Sequence, residues 1–243
     1  MGYDAAKDKT NGYSSDNSNI NEDNSMSEIR FRLAKPIDAK SIAYVHWHVR
    51  DRYTTGIFLS LGKSFLRAYY KIVLNDPWEV VVCAVDENNK IIGFSSTTMD
   101  AKEQADNLKR HKFSLMLSAL AAILKKPSLA IAVWQRYRSL SGSQNTPAFI
   151  HTEGARGEYW CWLKSEDSLK AIELSNVQND ILYDLGLREK FFEVDKFNTA
   201  VYKFHLKVNK AQPLEEMTLP DGRERVLMKK VLQHTLNRKS KQI

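Results

Sequence analysis

Cysteine is scarce in this chain, with Cys83 and Cys161 the only two among 243 residues. Two thiols cannot build a disulfide scaffold, and neither stands at metal-ligand spacing. Both are therefore expected as buried free thiols in a reducing compartment, with no metal site. Residues 1–27 hold almost no apolar side chains and lack the apolar core a signal peptide needs, so a cytoplasmic protein is expected. A membrane span is missing too. The one apolar stretch, Phe113 to Leu140, is cut by Lys125-Lys126-Pro127 into pieces well short of the roughly 20 residues a spanning helix requires. There is no internal repeat and no nucleic-acid-binding motif, so nucleic acid is not an expected partner.

Positive charge, by contrast, is in excess. The net charge is +7, yet residues 1–27 carry five acids against two lysines, which leaves +10 on the remainder. Such an excess favours an anionic partner. Nucleic acid, an anionic membrane surface, and a phosphorylated coenzyme with a nucleotide-linked substrate all fit, and charge alone does not choose among them. With 43% hydrophobic residues the chain can bury one core. The expected layout is a disordered tail over 1–27, one domain over 28–233 and a basic tail over 234–243.

Patterning predicts a mixed α/β (α+β) chain with seven strands. Ile29 to Leu33 alternates like a half-buried strand, and Lys35-Pro36-Ile37-Asp38-Ala39 is a helix start before Ile42, Val45 and Val49. After a break at Tyr53 to Gly56, a second helix carries Phe58, Leu61, Phe65, Tyr69 and Ile72 on one face. Trp78 to Val85 and Lys90 to Ser96 read as a hairpin over Asp86 to Asn89. A helical insertion covers about 101–145 between the third and fourth strands, and its apolar content is expected in the core or as a lid over substrate, the alternative being a membrane anchor. The loop Ser141 to Arg156 leads to a strand at Glu158 to Leu163. A helix with Leu169, Ile172, Val177, Ile181 and Leu185 on one face then ends at Gly186, a left-handed cap. Phe191 to Val194 is a short strand, and Asn198 opens a helix striped with Val201, Phe204 and Val208. Leu214 to Leu219 and Arg223 to Val231 flank the turn Pro220-Asp221-Gly222.

This order resembles the GNAT superfamily of acyl-CoA-dependent N-acyltransferases. In that family a phosphate-loop motif, Q/R-x-x-G-x-G/A, starts a helix that ends in Gly, followed by a strand and N-x-x-A/V-x-x-F-Y. Here Glu166-Asp167-Ser168-Leu169-Lys170-Ala171 falls on the first motif, and Asn198-Thr199-Ala200-Val201 through His205 on the last. Glu replaces Gln/Arg, Leu169 replaces the middle Gly, and His205 stands in the Tyr position. Phe58-Leu59-Ser60-Leu61-Gly62-Lys63-Ser64-Phe65-Leu66 with Tyr69-Tyr70 is similar to GNAT members of bacterial surface-polysaccharide pathways, among them nucleotide-sugar N-acyltransferases. The resemblance implies a strongly bent, mostly antiparallel seven-stranded sheet splayed between strands four and five.

It also implies a chemistry. Moving an acyl group from a thioester to an amine needs a neutral amine, a stabilised oxyanion and a proton for the thiolate. By the resemblance, the cofactor is acetyl-CoA or another short acyl-CoA such as 3-hydroxybutyryl-CoA. Trp160, Trp162, Leu163 and Lys164 would pair with its pantetheine arm. Asp167, Ser168, Leu169, Lys170 and Ala171 would meet its pyrophosphate at a helix N-terminus, with Asn198 facing the coenzyme. His205 is expected to protonate the leaving thiolate, and the alternative is an ordinary helix residue. Glu158, placed with Trp160 and Trp162 by alternation, is the candidate base or a plain strand-end acid. His46, His48 and Arg50 are candidates for the acceptor site, although His46 lies on the apolar face of its helix. The implied acceptor is a dTDP- or UDP-linked amino sugar for lipopolysaccharide, O-antigen or capsule assembly, and a homodimer is admitted. The alternatives are a GNAT-like binding or regulatory protein without transfer activity, and a GNAT acting on another small amine.

Overall fold

In the computed structural model, which describes residues 28–50, 57–131, 133–134, 151–163, 166–218 and 224–234, seven strands form a single sheet. They are β1 (Arg30–Leu33), β2 (Glu79–Val85), β3 (Ile91–Thr98), β4 (Arg156–Trp162), β5 (Glu189–Asp195), β6 (Gln212–Thr218) and β7 (Glu224–Val231). Their order is β1-β2-β3-β4-β5-β7-β6. All neighbours are antiparallel except β4 and β5, which run parallel and share a single register pair, Arg156 with Phe191. The expected tails, the break at 53–56, the loop at 141–150, Lys164 and the turn at Pro220-Asp221-Gly222 lie outside the described residues.

Local chemistry explains the junctions. Asp86 Oδ1 accepts the amides of Asn88 and Lys90, at 3.0 and 2.8 Å, and so closes the β2–β3 turn. Asp38 takes both ends of the Arg32 guanidinium, at 2.6 and 3.0 Å, which ties β1 to the start of α1 (Ala39–His48). The Arg32 guanidinium holds the Asp38 carboxyl below its usual range. The second predicted helix is split: α2 (Ile57–Ser60) and α3 (Gly62–Val73) meet at Gly62, whose φ of +84° suits only glycine comfortably.

On one face of the sheet, Val81, Cys83, Phe94 and Cys161 pack under α1 and α3, burying Ile42, Val45, Phe65 and Tyr69 as their periodicity predicts, and Leu66 and Tyr70 beyond it. Cys83 and Cys161 are free and buried, each opposite Phe94 from its own side, and burial pushes the Cys83 thiol up to about 12. The insertion adds α4 (Ala101–Arg110) and α5 (Lys112–Lys125) on this face. Asp100 caps α4 by accepting the amides of Lys102 and Glu103. Only one side of α5 joins the core, through Leu115, Ala119, Ala122 and Ile123. Phe113, Leu117 and Leu124 are exposed, so the expectation that the insertion's apolar residues form core or lid is corrected for that side.

On the opposite face, Val80, Val82, Ile92 and Trp162 lie under α6 (Ser168–Asp184). A Cβ on Gly93 would stand 2.2 Å from the Trp162 ring, so Gly93 is what lets that indole cross β3. The C-terminus of α6 is the predicted one: Gly186 (φ +94°) donates to Tyr183 O and Leu187 to Leu182 O. Its buried side is not. Ala171, Leu174, Ser175, Gln178, Asn179 and Leu182 face inward, while Leu169 and Leu185 are exposed. The third cluster, Phe192, Val194, Val226 and Met228, sits under α7 (Thr199–Lys207). There Val201, Tyr202 and Leu206 pack inward and Val208 is exposed, so the predicted stripe was turned by one position.

Candidate functional site

Beyond Arg156 and Phe191, β4 and β5 separate. The Leu163 amide donates to Ile92 O and the Tyr159 amide to Ser96 Oγ, both on the β3 side. By alternation, the backbone groups of Trp160 and Trp162 point the other way, into the gap toward β5. A strand edge of this kind suits an extended chain with its own amides. The candidate site is this gap and the two faces flanking it.

On the α1/α3 face, four polar side chains from three segments form a buried chain. Arg156 Nε donates to Glu158 Oε1 at 2.7 Å, and Arg156 Nη2 donates to Gln104 Oε1 at 2.7 Å. Gln104, from α4, donates in turn to Glu79 Oε1. Tyr69, fully buried above them, has its phenol pushed up by burial and by Tyr159, Glu158 and Glu79. Burial, with Glu158 and Asp76 nearby, raises the Glu79 carboxyl to about 8, and among the described residues its Oε2 has no hydrogen-bond partner. The Glu158 side chain is only 7% exposed. Its expected face is corrected, because the register shifts between Ser96 and Thr97 and leaves Glu158 unpaired opposite β3. The bulge turns Glu158 toward Arg156, Tyr69 and Glu79, away from Trp160 and Trp162.

On the α6/α7 face, Trp160 Nε1 donates to Ala171 O at 3.0 Å and Trp162 Nε1 to Glu166 O at 3.3 Å, so both indoles brace the first turn of α6. That turn starts at Ser168 and is capped by its own acid: Asp167 Oδ1 accepts the Leu169 amide at 2.9 Å. Leu169 is 71% exposed, its side chain turned outward. Lys170 pairs with Glu173 at 2.7 Å and is spoken for within its own helix. The β4 edge thus fits the pantetheine arm of a coenzyme. The helix N-terminus keeps the small Ala171 but already holds a carboxylate where the pyrophosphate would lie.

Asn198 is the N-cap of α7, its Oδ1 accepting the Val201 amide at 3.4 Å. His205 packs between Trp160 and Phe192, with ring centroids 5.9 and 4.5 Å away. Burial, with Lys190 and Lys230, lowers its pKa to about 3, so the ring is neutral at neutral pH. Any donor role of His205 therefore belongs to the neutral ring. The Asn209 amide nitrogen lies 3.0 Å from Nδ1 and donates to it, which leaves the ring proton on Nε2. Lys190 is itself buried, lowered to about 7 by burial and by Lys230, and donates to Gln178 Oε1 at 3.3 Å. Lys230 donates to Asn209 O.

The three acceptor candidates on and after α1 diverge. His46 is 3% exposed and bonded through Nδ1 to Tyr70 OH at 2.7 Å, and burial lowers it to about 3. It is a core histidine, which corrects its assignment to substrate. His48 stacks on Tyr44 at 3.7 Å, and Arg50 lies over the Trp47 ring at 4.7 Å. Both are exposed, whereas His46 is buried. Glu79, Gln104 and Arg156 were missed in the sequence, because only strand register and the insertion bring them together. Lys190 and Lys230 had a faint signal: each takes an inward place in an otherwise apolar strand pattern.

No family model matches the sequence, and no curated protein does either. Solved structures do match in fold. A putative acetyltransferase of the GNAT family from Desulfovibrio desulfuricans is similar at 12% identity with a TM-score of 0.52, covering 85% of this chain and 100% of that one. An N-acetyltransferase from Staphylococcus aureus Mu50 matches at 9% identity and a TM-score of 0.51, over 85% of this chain and 99% of that one. A putative acetyltransferase from Salmonella typhimurium, solved with its cofactor acetyl-CoA, matches at 11% identity and a TM-score of 0.51, over 85% and 95%. The chain has the GNAT acetyltransferase fold: a mixed α/β structure with a seven-stranded, mostly antiparallel sheet flanked by helices. Among the described residues no helix is long and apolar enough to cross a membrane.

Proposed function

We propose that this chain is an acyl-CoA-dependent N-acyltransferase acting on the amine of a nucleotide-linked amino sugar used in surface-polysaccharide assembly. The observation that carries the reading is the β4/β5 gap, with the Trp160 and Trp162 backbone on its edge and the Glu158 carboxylate at its closed end. When bound, the coenzyme supplies the acyl group as a thioester. Trp160, Trp162 and Lys164 hold its pantetheine arm, Leu163 being bonded to β3 instead, and the α6 amides from Ser168 to Ala171 face its pyrophosphate. The amine comes from the α3 side, past Tyr69 and Tyr159. As its nitrogen bonds to the acyl carbon and the C–S bond breaks, Glu158 takes the proton shed by the nitrogen. His205, neutral, would donate a hydrogen bond from Nε2–H to the departing sulfur, which would leave as the thiolate with its electron pair. His48 and Arg50, both exposed beyond the end of α1, are the groups left for the nucleotide diphosphate. Support for the sugar is the Phe58 to Tyr70 text, which builds α2 and α3 beside this face.

One observation favours a second reading, a coenzyme-binding protein without transfer activity: Asp167 already caps the helix that would receive the pyrophosphate. Two measurements separate the readings. Saturating CoA at about 100 times its dissociation constant contributes about 2.7 kcal/mol, a rise of roughly 5–10 °C in melting temperature. Thiol release from acetyl- or hydroxybutyryl-CoA with a panel of nucleotide amino sugars then reports transfer. A thermal shift without turnover on any amine selects the second reading, and no shift at all rejects both.

A further inference from the structure

The outer face of α5 is apolar along its whole length. Phe113, Met116, Leu117, Leu120 and Leu124 recur at three- and four-residue spacing and are between 46% and 74% exposed, opposite the side that packs on the core. Past Pro127, Ile131 and Trp134 are exposed as well. A helix apolar on both sides is normally buried on both sides, so this face is built for a second medium.

Charge identifies that medium. Between Asp106 and Glu153 the chain has no acidic residue but seven Lys/Arg, so this one segment carries charge equal to the whole protein's +7. Cations that look scattered along the full sequence are thus concentrated in this segment of the chain. Lys112 opens α5, and Lys125 and Lys126 close it. Beside its first turn lies an open concavity of about 780 Å³, lined by Ser64, Arg67, Lys71, His111 and Ser114 among others, a cationic and hydroxylic surface of the kind that meets phosphate.

We propose that α5 docks the protein on an anionic phospholipid bilayer, its apolar face in the interface plane and its basic flanks against lipid headgroups. Trp134 has the amphipathic ring that settles at headgroup level. A second copy fits worse, because an isologous contact would set one strongly basic face against another. Residues 1–27 carry acids but lack the apolar side chains to cover Phe113 or Leu117. This docking does not depend on the acyl-transfer reading.

The test is flotation of the full-length protein with vesicles of phosphatidylcholine alone and of phosphatidylcholine with phosphatidylglycerol. Binding is expected only with the anionic lipid and should fall about tenfold or more when salt shortens the screening length. Leu117→Asp with Leu124→Asp should abolish flotation without lowering the melting temperature, since both side chains are exposed. Lys125→Glu with Lys126→Glu, both exposed, should weaken it and serves if the first variant folds poorly. Three results overturn the proposal: no flotation of the parent, equal flotation on both lipids, or a dimer by light scattering that the leucine variant converts to monomer.

Discussion

Buried polar clusters flank β4 on both faces, and they respond to burial in opposite directions. On the α3 side, Arg156 answers Glu158 and reaches Glu79 through Gln104, and the remaining acid, Glu79, is raised to about 8. On the α6 side, Lys190 sits beside Lys230 among amide and carbonyl oxygens and is lowered to about 7. Desolvation penalises the charged form in both cases. The acid keeps its proton and the amine gives one up, so each face holds a group that titrates near neutrality for reasons unrelated to its residue type.

Removing the one cation of the α3-side cluster should break the contrast most. Arg156→Met leaves the Glu158 carboxylate buried without its charge partner and Gln104 without a donor, and should cost roughly 3–5 kcal/mol of stability, read as a shift in denaturant midpoint. A loss below about 1 kcal/mol, the size of an exposed pair, would show that Glu158 is solvated.

His205→Phe tests the other face. It keeps the ring and deletes Nε2–H, so turnover should drop about a hundredfold with KM little changed, while His205→Tyr keeps most of the activity. Turnover within about threefold of the parent in the Phe variant, far below that range, would leave His205 a packing residue.

The pH dependence of stability sharpens the comparison directly. Glu79 is raised in the folded chain, so its contribution is complete below its ordinary value of 4.5 and is lost as pH climbs through about 8. Lys190 is lowered, so its contribution is complete above its ordinary value of 10.5 and is lost as pH falls through about 7. Melting temperature of Glu79→Gln relative to the parent should therefore rise between pH 4.5 and 8, whereas the relative gain of Lys190→Met should shrink between pH 7 and 10.5. Parallel curves for either variant would mean that its group is hydrated. The smallest effect is expected at the helix cap. Asp167→Asn keeps an oxygen for the Leu169 amide and removes a negative charge, so CoA should bind about two- to fivefold tighter by calorimetry. Unchanged affinity would move the pyrophosphate away from α6.

These contrasts also show where the sequence was readable. Ile42, Val45 and Val49, the turn at Asp86 and the cap at Gly186 were legible because each is decided within a few residues. The inward face of α6 was misread because it presents Ser175, Gln178 and Asn179 beside its apolar residues, and a search for apolar periodicity turns such a helix the wrong way round. Glu158 was put on the wrong side because a bulge breaks the alternation on which its placement rested. The link from Glu79 to Arg156 depends on register across three strands and on an inserted helix, information that no local window contains.

The lone pair between β4 and β5 has a mechanical consequence. The single register pair of Arg156 with Phe191, with Phe191 N–H bonded to Ala155 O at 2.9 Å, fastens the panel β1 to β4 onto the panel of β5, β7 and β6. Load across the sheet therefore falls on a seam one register pair long, while each panel is zipped along its length. Anything that threads the gap and bonds to both edges adds stitches to that seam, so occupancy of the gap and stiffness of the whole sheet rise together.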